Sequence, residues 1–211
     1  MEMRRVVVTG LGSLTPIGNT VEEYWQGLVN GVSGAAPITH FDASQAKTQF
    51  ACEVKGFDAN KFFDRKEGRK YDRFSQYGIV AAEQAVSDCN VDFEKINKER
   101  AGVIWASGIG GIVTFQEEIT NFVKGDGSLR FSPYFIPKMI ADIASGHISI
   151  HFGFHGPNYT TTSACASSTN ALADAFNLIR LGKADMIVSG GAESAICACG
   201  VGGFNAMHAL S

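Results

Sequence analysis

Short apolar runs that end in glycine recur along the chain. Residues 5–9 lead into Gly10, residues 101–107 lead into the glycine-rich stretch 108–111, and residues 184–189 lead into Gly190. Near-continuous runs of β-branched and other apolar residues are typical of strands that are buried on both faces. The pattern therefore predicts three buried strands.

Helical periodicity fills the intervals between these runs. Apolar residues at positions 21, 24, 25, 28 and 29 predict a helix over residues 21–29, and an acidic pair stands at its start. Similar patterns predict helices over residues 72–89, 136–148 and 166–181, the last of which ends at Gly182. Residues 124–133 have the composition of a loop. Strands that alternate with helices predict an α/β fold in which helices cover a sheet.

Composition describes a core-forming protein. The chain is 45% apolar and 18% charged, as is typical of a globular protein. Its 211 residues are long enough for one large domain or two small ones. There is no apolar run of about 18 residues and no signal-peptide pattern at the N-terminus, so we expect no membrane span. Five cysteines without framework spacing predict a reducing, cytoplasmic compartment. A net charge of −3 gives no indication of a nucleic-acid partner.

Cys165 is the strongest candidate for chemistry. It stands in the run N-Y-T-T-T-S-A-C-A-S-S-T-N-A-L, residues 158–172, between a β-prone stretch and a helical one. The spacing predicts a thiol on the first turn of a helix, where the helix dipole favours the reactive thiolate. Small neighbours leave room for a bulky substrate, so we interpret Cys165 as a nucleophile that carries an acyl group. The alternative is a buried apolar filler, which is the commoner role of a free cysteine.

Patterns for nucleotide or metal binding are incomplete. In V-T-G-L-G-S-L-T, the third glycine of the G-x-G-x-x-G motif falls on Thr15. The glycines at 108–111 lack the Lys-Ser/Thr of a P-loop, and instead predict a close approach to another segment or a substrate. His147, His151 and His155 repeat at four-residue spacing, but glycines interrupt the helix and no further ligand completes a site. We therefore predict no metal and no organic cofactor.

A cluster of basic residues interrupts the acidic background. Arg65, Lys66, Arg69 and Lys70 lie within six residues, and helical spacing puts 65 with 69 and 66 with 70 on shared faces. Such a patch attracts an acidic partner and guides its approach. A solvated helix face is the alternative, since Glu67 offsets part of the charge.

Several motifs, in order along the chain, carry a resemblance to a known family. They include R-R-V-V-V-T-G-L-G-S-L-T-P-I-G at 4–18, S-G-I-G-G at 107–111, P-Y-F-I-P-K-M-I at 133–140, G-P-N-Y-T-T-T-S-A-C-A-S-S at 156–168 and G-V-G-G-F-N-A-M-H-A-L-S at 200–211. The chain resembles the N-terminal part of the type II β-ketoacyl-acyl-carrier-protein synthases, the elongating condensing enzymes of bacterial fatty-acid synthesis. The resemblance implies a thiolase-like, layered α-β-α-β-α fold, of which residues 1–211 would form an incomplete N-terminal half whose last strand follows residue 211.

The resemblance also implies a reaction. Cys165 would accept an acyl group from acyl carrier protein as a thioester, and malonyl carrier protein would lose CO2 and attack it in a decarboxylative Claisen condensation. The family supplies two histidines, a lysine and a gating phenylalanine from motifs that this chain does not contain. We therefore expect the chain alone to accept an acyl group at most.

Further site residues are implied by matching positions. Ile109 and Phe135 fall where the family lines its acyl pocket, with Phe135 reaching across from the partner subunit. The family is a homodimer that pairs the strand at residues 158–163, here from Asn158 to Ser163, with its twin. It docks acyl carrier protein on the segment that holds the basic cluster, and its chemistry needs no cofactor.

Two alternatives stay open at this point. One is a related acyltransferase: an initiating synthase, a polyketide ketosynthase or a thiolase that uses coenzyme A thioesters. The basic cluster favours carrier-protein substrates over coenzyme A. The other is a catalytically silent scaffold or dimerisation module, which acylation of Cys165 would distinguish from an enzyme.

Overall fold

A three-stranded parallel sheet lies at the centre of the fold. The structure, a computed structural model, describes residues 3–211. Its strands are β1 Ala36–Pro37, β2 Phe50–Ala51, β3 Ala101–Ala106, β4 Asn158–Tyr159 and β5 Met186–Gly191. Its helices are α1 Val21–Val29, α2 Arg65–Gly68, α3 Arg73–Asp88, α4 Ile112–Lys124, α5 Phe135–Met139, α6 Ile143–Phe152, α7 Ser167–Arg180 and α8 Ala198–Ala206, with 3-10 turns at Ala59–Lys61, Lys98–Arg100 and Ala164–Ala166.

Strand β3 is the middle of this sheet and is buried at every residue. It pairs in parallel with β4 on one side, through Val103 and Asn158, and with β5 on the other. Strands β1 and β2 form a separate antiparallel pair. The α/β fold expected from the sequence is therefore present.

The two faces of β3 are covered by different helices. Val103 and Trp105 pack into a core with residues of α3 and α6, among them Phe74 and Ile148. Ile104 and Ala106 point to the opposite face, where they pack with Ala171 of α7. This alternation, which has the period of two expected of a strand, gives three layers with the sheet in the middle.

Most predicted elements are confirmed. Strand β3 covers the run at 101–107, and β5 begins two residues after the start of the run at 184–189. Helix α1 has the predicted bounds, while α3 and α7 lie inside theirs with a difference of one residue at each end. Gly182, which follows α7, adopts a φ of +71°, as a C-terminal cap requires.

The strand predicted at residues 5–9 is wrong. Those residues form no strand, and the side chain of Val8 is 79% exposed. The segment 6–13 and strand β5 line a common cavity of about 790 Å³, with Trp105 and Phe176 also in its wall. An apolar run of this kind becomes a strand only when a neighbour pairs with it, and here the cavity occupies that place.

The helix predicted at residues 136–148 is also wrong, because the structure divides it into α5 and α6. The N–H of Gly111 donates to the carbonyl of Met139 at 3.0 Å, and Ile140 turns to an extended ψ of 137°. A Cβ at position 111 would lie 2.1 Å from the carbonyl oxygen of Lys138. The glycine-rich stretch 108–111 thus passes close to another segment, as predicted, and that contact interrupts the helix.

Asp72 joins two helices from a buried position. Its carboxylate accepts the N–H of Phe74 at 3.1 Å, which caps α3, and the N–H and hydroxyl of Thr114 in α4 at 3.0 and 2.5 Å. We expect Asp72→Ala to lower the free energy of unfolding by about 2–4 kcal/mol, since it leaves buried donors unpaired. Chemical denaturation measures the change. Asp64→Ala, which removes the equivalent cap from the exposed helix α2, is the control and should cost clearly less; equal losses would contradict a linking role for Asp72.

Asp185 pairs with two arginines just before β5. Arg100 donates to it at 2.6 and 2.9 Å and Arg4 at 2.7 Å, and these bonds, those of Arg100 foremost, lower its pKa to about 2. A depressed carboxylate pKa stabilises the fold above the pKa of the unfolded chain, and that contribution disappears as the pH falls toward the folded value. We expect Asp185→Asn to lower Tm at pH 6 by a small amount, because the pair is exposed to solvent.

The difference in Tm between the two proteins should shrink from pH 4 down to pH 2 and should also shrink in high salt. Glu117→Gln, which removes an exposed carboxylate outside the ion pairs found in residues 3–211, is the control. A difference that stays constant across this pH range would exclude the ion pair as its source.

Candidate active site

Cys165 lies in a tight turn between β4 and α7. The structure places it in the 3-10 turn Ala164–Ala166, exposed to solvent, and α7 begins two residues later at Ser167. The sequence predicted it on the first helical turn, so its position is correct to within one turn. Ala164 has a φ of +52°, a left-handed conformation that costs a residue with a Cβ about 1–2 kcal/mol. The backbone before the sulfur is therefore held in a strained geometry.

Hydroxyl and amide side chains hold this turn in place. Ser167 is buried; its hydroxyl donates to the carbonyl of Ala164 at 2.7 Å and accepts the N–H of Ser163 at 2.8 Å. Asn170 donates to the Ser163 hydroxyl at 2.6 Å, and Thr161 donates to the Ser167 carbonyl at 2.8 Å. The sequence analysis missed these roles. The signal for them was the run of serine and threonine around the cysteine, because these side chains readily bond nearby backbone.

A second turn packs beside the cysteine turn. Residues 107–111 follow β3, and the carbonyl of Ser107 accepts the hydroxyl of Thr162 at 3.0 Å. A Cβ at Gly108 would lie 3.7 Å from the carbonyl oxygen of Ala164. This turn carries Ile109, which is 40% exposed. The structure therefore places the turn that carries the predicted pocket residue Ile109 next to the turn that holds Cys165.

Phe135 belongs to an aromatic cluster. It begins α5, stacks on Phe131 with ring centroids 5.4 Å apart, and lies 6.3 Å from the ring of Phe115 in α4. Phe122 extends the cluster through Phe131. The cluster connects with the turn at 108–111 because Gly111 bonds the end of α5.

The basic cluster is divided by the end of α2. Arg65, Lys66 and Arg69 are exposed and line a shallow cavity of about 380 Å³ together with Tyr134. Lys70 lies beyond the helix and is half-buried, so the single helix expected for all four residues is wrong. Helix α2 is short because Asp64 caps its N-terminus and the helix ends at Gly68, after four residues.

The histidines form separate contacts. Burial, and then the charge of Lys70, lowers the pKa of His147, which packs edge-on against Tyr71. His151 lies 3.1 Å from Glu83, and His155 lies 2.9 Å from Glu99. Among residues 3–211 no group of three side chains is arranged to hold a metal ion. Nor does any helix in that range have the length and apolar character to cross a bilayer.

Comparison with known proteins identifies the family to which this chain is similar. Residues 3–211 match the family model for the β-ketoacyl synthase N-terminal domain. The chain is 45% identical over 211 residues to 3-oxoacyl-[acyl-carrier-protein] synthase 2 of Synechocystis sp. (strain ATCC 27184 / PCC 6803 / Kazusa), with all of this chain and 50% of the relative covered. It is 42% identical over 208 residues to the protein of the same name from Staphylococcus aureus (strain COL), with 99% and 50% covered.

The fold has solved counterparts. The ishigamide ketosynthase/chain length factor superposes with a TM-score of 0.91 at 28% identity, with 99% of this chain and 52% of that one covered. The expected thiolase-like fold is thus confirmed. The chain spans about half the length of the curated relatives that it matches. These matches, together with the cysteine turn and the parallel sheet, show that the chain belongs to the β-ketoacyl synthase family. Residues 3–211 correspond to the N-terminal domain of that family.

Proposed function

We propose that this protein is an acyltransferase of bacterial type II fatty-acid synthesis, in which Cys165 carries the growing acyl chain as a thioester. The observation that carries the proposal is the exposed thiol of Cys165, held in a fixed turn directly before α7. The proposed overall product is 3-oxoacyl-acyl carrier protein, formed from the Cys165-bound acyl group and malonyl carrier protein with loss of CO2. The names of the relatives with 42–45% identity support this reaction.

Acyl transfer follows from the geometry of the turn. The Cys165 thiolate attacks the thioester carbonyl of acyl carrier protein, a new sulfur–carbon bond forms, and the carrier's sulfur–carbon bond breaks. The proton lost by Cys165 leaves on the carrier thiol. The N–H of Cys165 is the proposed donor to the carbonyl oxygen. A covalent intermediate divides one difficult step into two easier ones.

Condensation needs groups beyond those found in this sequence. The family's two histidines and lysine act on the malonyl group, and the motifs that carry them do not occur in residues 1–211. We therefore propose condensation for residues 1–211, as the N-terminal part of a ketosynthase domain, together with a second half of the fold. The cavity lined by segment 6–13 and the edge strand β5 supports an incomplete fold. We propose that the strand which the resemblance implies after residue 211 fills it.

Ile109 and Phe135 are the proposed lining of the acyl pocket. Ile109 sits on the turn packed against Ala164, and Phe135, which lies in the aromatic cluster at the start of α5, would reach across into the pocket of the partner subunit. Transfer of an acyl chain from water to such a surface is favourable by roughly 0.8 kcal/mol per CH2 group. The pocket therefore favours long chains.

The basic cluster is the proposed docking surface for acyl carrier protein, an acidic partner. Three of its members, Arg65, Lys66 and Arg69, share one shallow cavity with Tyr134, and in a chain of net charge −3 they form a local positive surface. Lys70 is half-buried and does not line this cavity. The carrier names in the relatives support the choice of partner.

We also propose a cytoplasmic homodimer. β4 is an edge strand of the sheet, and both its residues are exposed in the single chain. Pairing of the segment 158–163 with its twin would cover that edge through a closed two-fold interface. Exposed apolar side chains at Phe131, Ile136 and Ile140 supply further surface. Five free cysteines fit a reducing compartment.

A polyketide ketosynthase is the second candidate, favoured by the structural match to the ishigamide ketosynthase/chain length factor. Identity is 28% in that comparison and 45% with the fatty-acid enzyme of Synechocystis. Preference for a saturated long-chain acyl carrier protein over a polyketide intermediate separates the two candidates.

Acylation of Cys165 is the first prediction of this proposal. After incubation with a long-chain acyl carrier protein, denaturing mass spectrometry should detect one added acyl mass on the chain. Cys165→Ser and Cys165→Ala should lose the adduct, since neither variant offers a thiolate at this turn. Cys199→Ser, which removes another exposed cysteine, is the control and should keep it. An adduct that persists on Cys165→Ala would sink the assignment, and a wild-type chain that gains nothing would favour the silent scaffold.

Charge reversal tests the docking surface. Lys66→Glu combined with Arg69→Glu should reduce the rate of acylation by acyl carrier protein about tenfold, because it repels the acidic partner. The rate with a small acyl-pantetheine thioester should stay within about twofold, since that substrate lacks the protein surface. Lys47→Glu combined with Lys183→Glu changes the net charge equally at other exposed positions. Equal losses in both double variants, or on both substrates, would argue against docking at the basic cluster.

A further inference from the structure

Glu193 binds the turn beside the cysteine through three consecutive residues. Its Oε1 atom accepts the hydroxyl of Ser107 at 2.7 Å, the N–H of Gly108 in a short hydrogen bond, and the N–H of Ile109 at 3.2 Å. Glu193 comes two residues after the end of β5, and the turn follows the end of β3. One carboxylate oxygen therefore fixes two successive peptide N–H groups in one direction.

The hydroxyl of Ser107 extends this control. Ser107 is 2% exposed, donates to Glu193 and accepts the N–H of Gly110 at 2.9 Å. Gly110 has a φ of +74°, and the N–H of Gly111 bonds the end of α5. The backbone N–H groups of residues 108 to 111 therefore all donate to an identified acceptor. Glu193 accepts the first two directly, and it holds the third through the hydroxyl of Ser107.

The same turn contacts the residues that build the cysteine site. The Ser107 carbonyl accepts the Thr162 hydroxyl at 3.0 Å, and Gly108 packs against Ala164, the residue before Cys165. A displacement of the turn would move Ile109 relative to the sulfur. Charge-assisted hydrogen bonds are stronger than those between neutral groups, so a carboxylate is well suited to holding this turn in one position.

We propose that Glu193 is a positioning residue that fixes the turn carrying Ile109 against the cysteine turn, and thereby sets the preference of the site for long acyl chains. The proposal rests on the function proposed for Cys165 as the acyl-carrying residue. Glu193 touches no reacting atom, so its effect should fall on chain-length selection and not on the reactivity of the thiol toward small reagents.

The chain offers a matched control in Glu53. Its carboxylate accepts the N–H of Thr39 at 3.0 Å, the Thr39 hydroxyl at 2.6 Å and the N–H of His40 at 3.0 Å. Glu53 is buried and Glu193 is exposed, yet both bind two peptide N–H groups and one hydroxyl. Glu53→Ala therefore removes the same kind of bonds from a turn outside the site.

The test compares alkylation of Cys165 by iodoacetamide and by N-decyl-iodoacetamide in the 211-residue chain and its variants. Mass spectrometry of the peptide that contains Cys165 follows the reaction, because Cys52 and Cys199 are also exposed. These reagents report the pocket beside the sulfur without any acyl transfer. We expect wild type to favour the long reagent, and Glu193→Ala to reduce the ratio of long to short rates about fivefold, as the loss of about 1 kcal/mol of positioning implies. Glu193→Gln, which keeps one oxygen acceptor, should restore most of the ratio, and Glu53→Ala should leave it unchanged.

Each other outcome overturns the inference. A ratio that is unchanged in Glu193→Ala removes the role in selection, and a ratio reduced equally in Glu53→Ala reduces Glu193 to a contributor to stability. If the wild-type chain shows no preference for the long reagent, there is no acyl pocket at Ile109. Failure of the proposed function is recognised separately: the chain would then show these alkylation ratios and still gain no acyl group from carrier protein.

Discussion

Parallel pairing of β4, β3 and β5 is the constraint on which the site depends. In a parallel sheet the carboxyl ends of all the strands point the same way. The segments that follow those ends therefore meet at the same end of the sheet. Three segments do so here: the cysteine turn after β4, the glycine-rich turn after β3, and Glu193 after β5. Glu193 lies 84 to 86 residues from its three donors in the glycine-rich turn, a separation that local chain geometry alone could not bridge. The register of the central strand β3 therefore determines the geometry of the nucleophile.

Side chains that bond to backbone convert this meeting of turns into a fixed arrangement. The left-handed Ala164 is costly, and buried Ser167 holds it by bonding its carbonyl, while Asn170 holds the preceding serine. A strained backbone conformation of this kind persists only where several surrounding contacts hold it in place. The polar residues around Cys165 thus serve structure as well as chemistry. Small side chains leave the sulfur open to substrate, and hydroxyl groups replace the packing that larger side chains would provide.

The sequence predicted those features that depend on a single segment. The strand at 101–107, the helices around 21–29 and 72–89, and the turn at Cys165 follow from the local pattern and were confirmed in place. The predictions that failed depend on a second segment. The run at 5–9 needs a paired neighbour to become a strand, and the helix at 136–148 is divided because Gly111 takes the carbonyl of Met139. Helices α4 and α8 were missed. Glycines weaken the local signal of α8, whereas the apolar residues of α4 do recur at helical spacing.

The same reasoning explains why Glu193 escaped the sequence analysis. A single glutamate after a strand carries no periodic signal, and its three donors lie more than 80 residues away. Only the pairing of β3 with β5, residue for residue from Ala101 and Met186 to Ala106 and Gly191, brings them together.

The two edges of the sheet complete the argument about assembly. Within residues 3–211 the sheet has β4 at one edge and β5 at the other, and an open strand edge offers unpaired N–H and carbonyl groups to any other chain. The edges differ in what lies next to them. Beside β5 is a cavity that segment 6–13 also lines, for which an inserted strand is proposed, whereas β4 is short and exposed and is the edge proposed for a symmetric neighbour. The two proposed partners, a further strand of the fold and a second copy of the chain, would therefore occupy different edges of one small sheet. The cysteine turn leaves β4 and Glu193 follows β5, so each proposed contact would lie next to one part of the site, and assembly would be coupled to the geometry of the site through the same three strands.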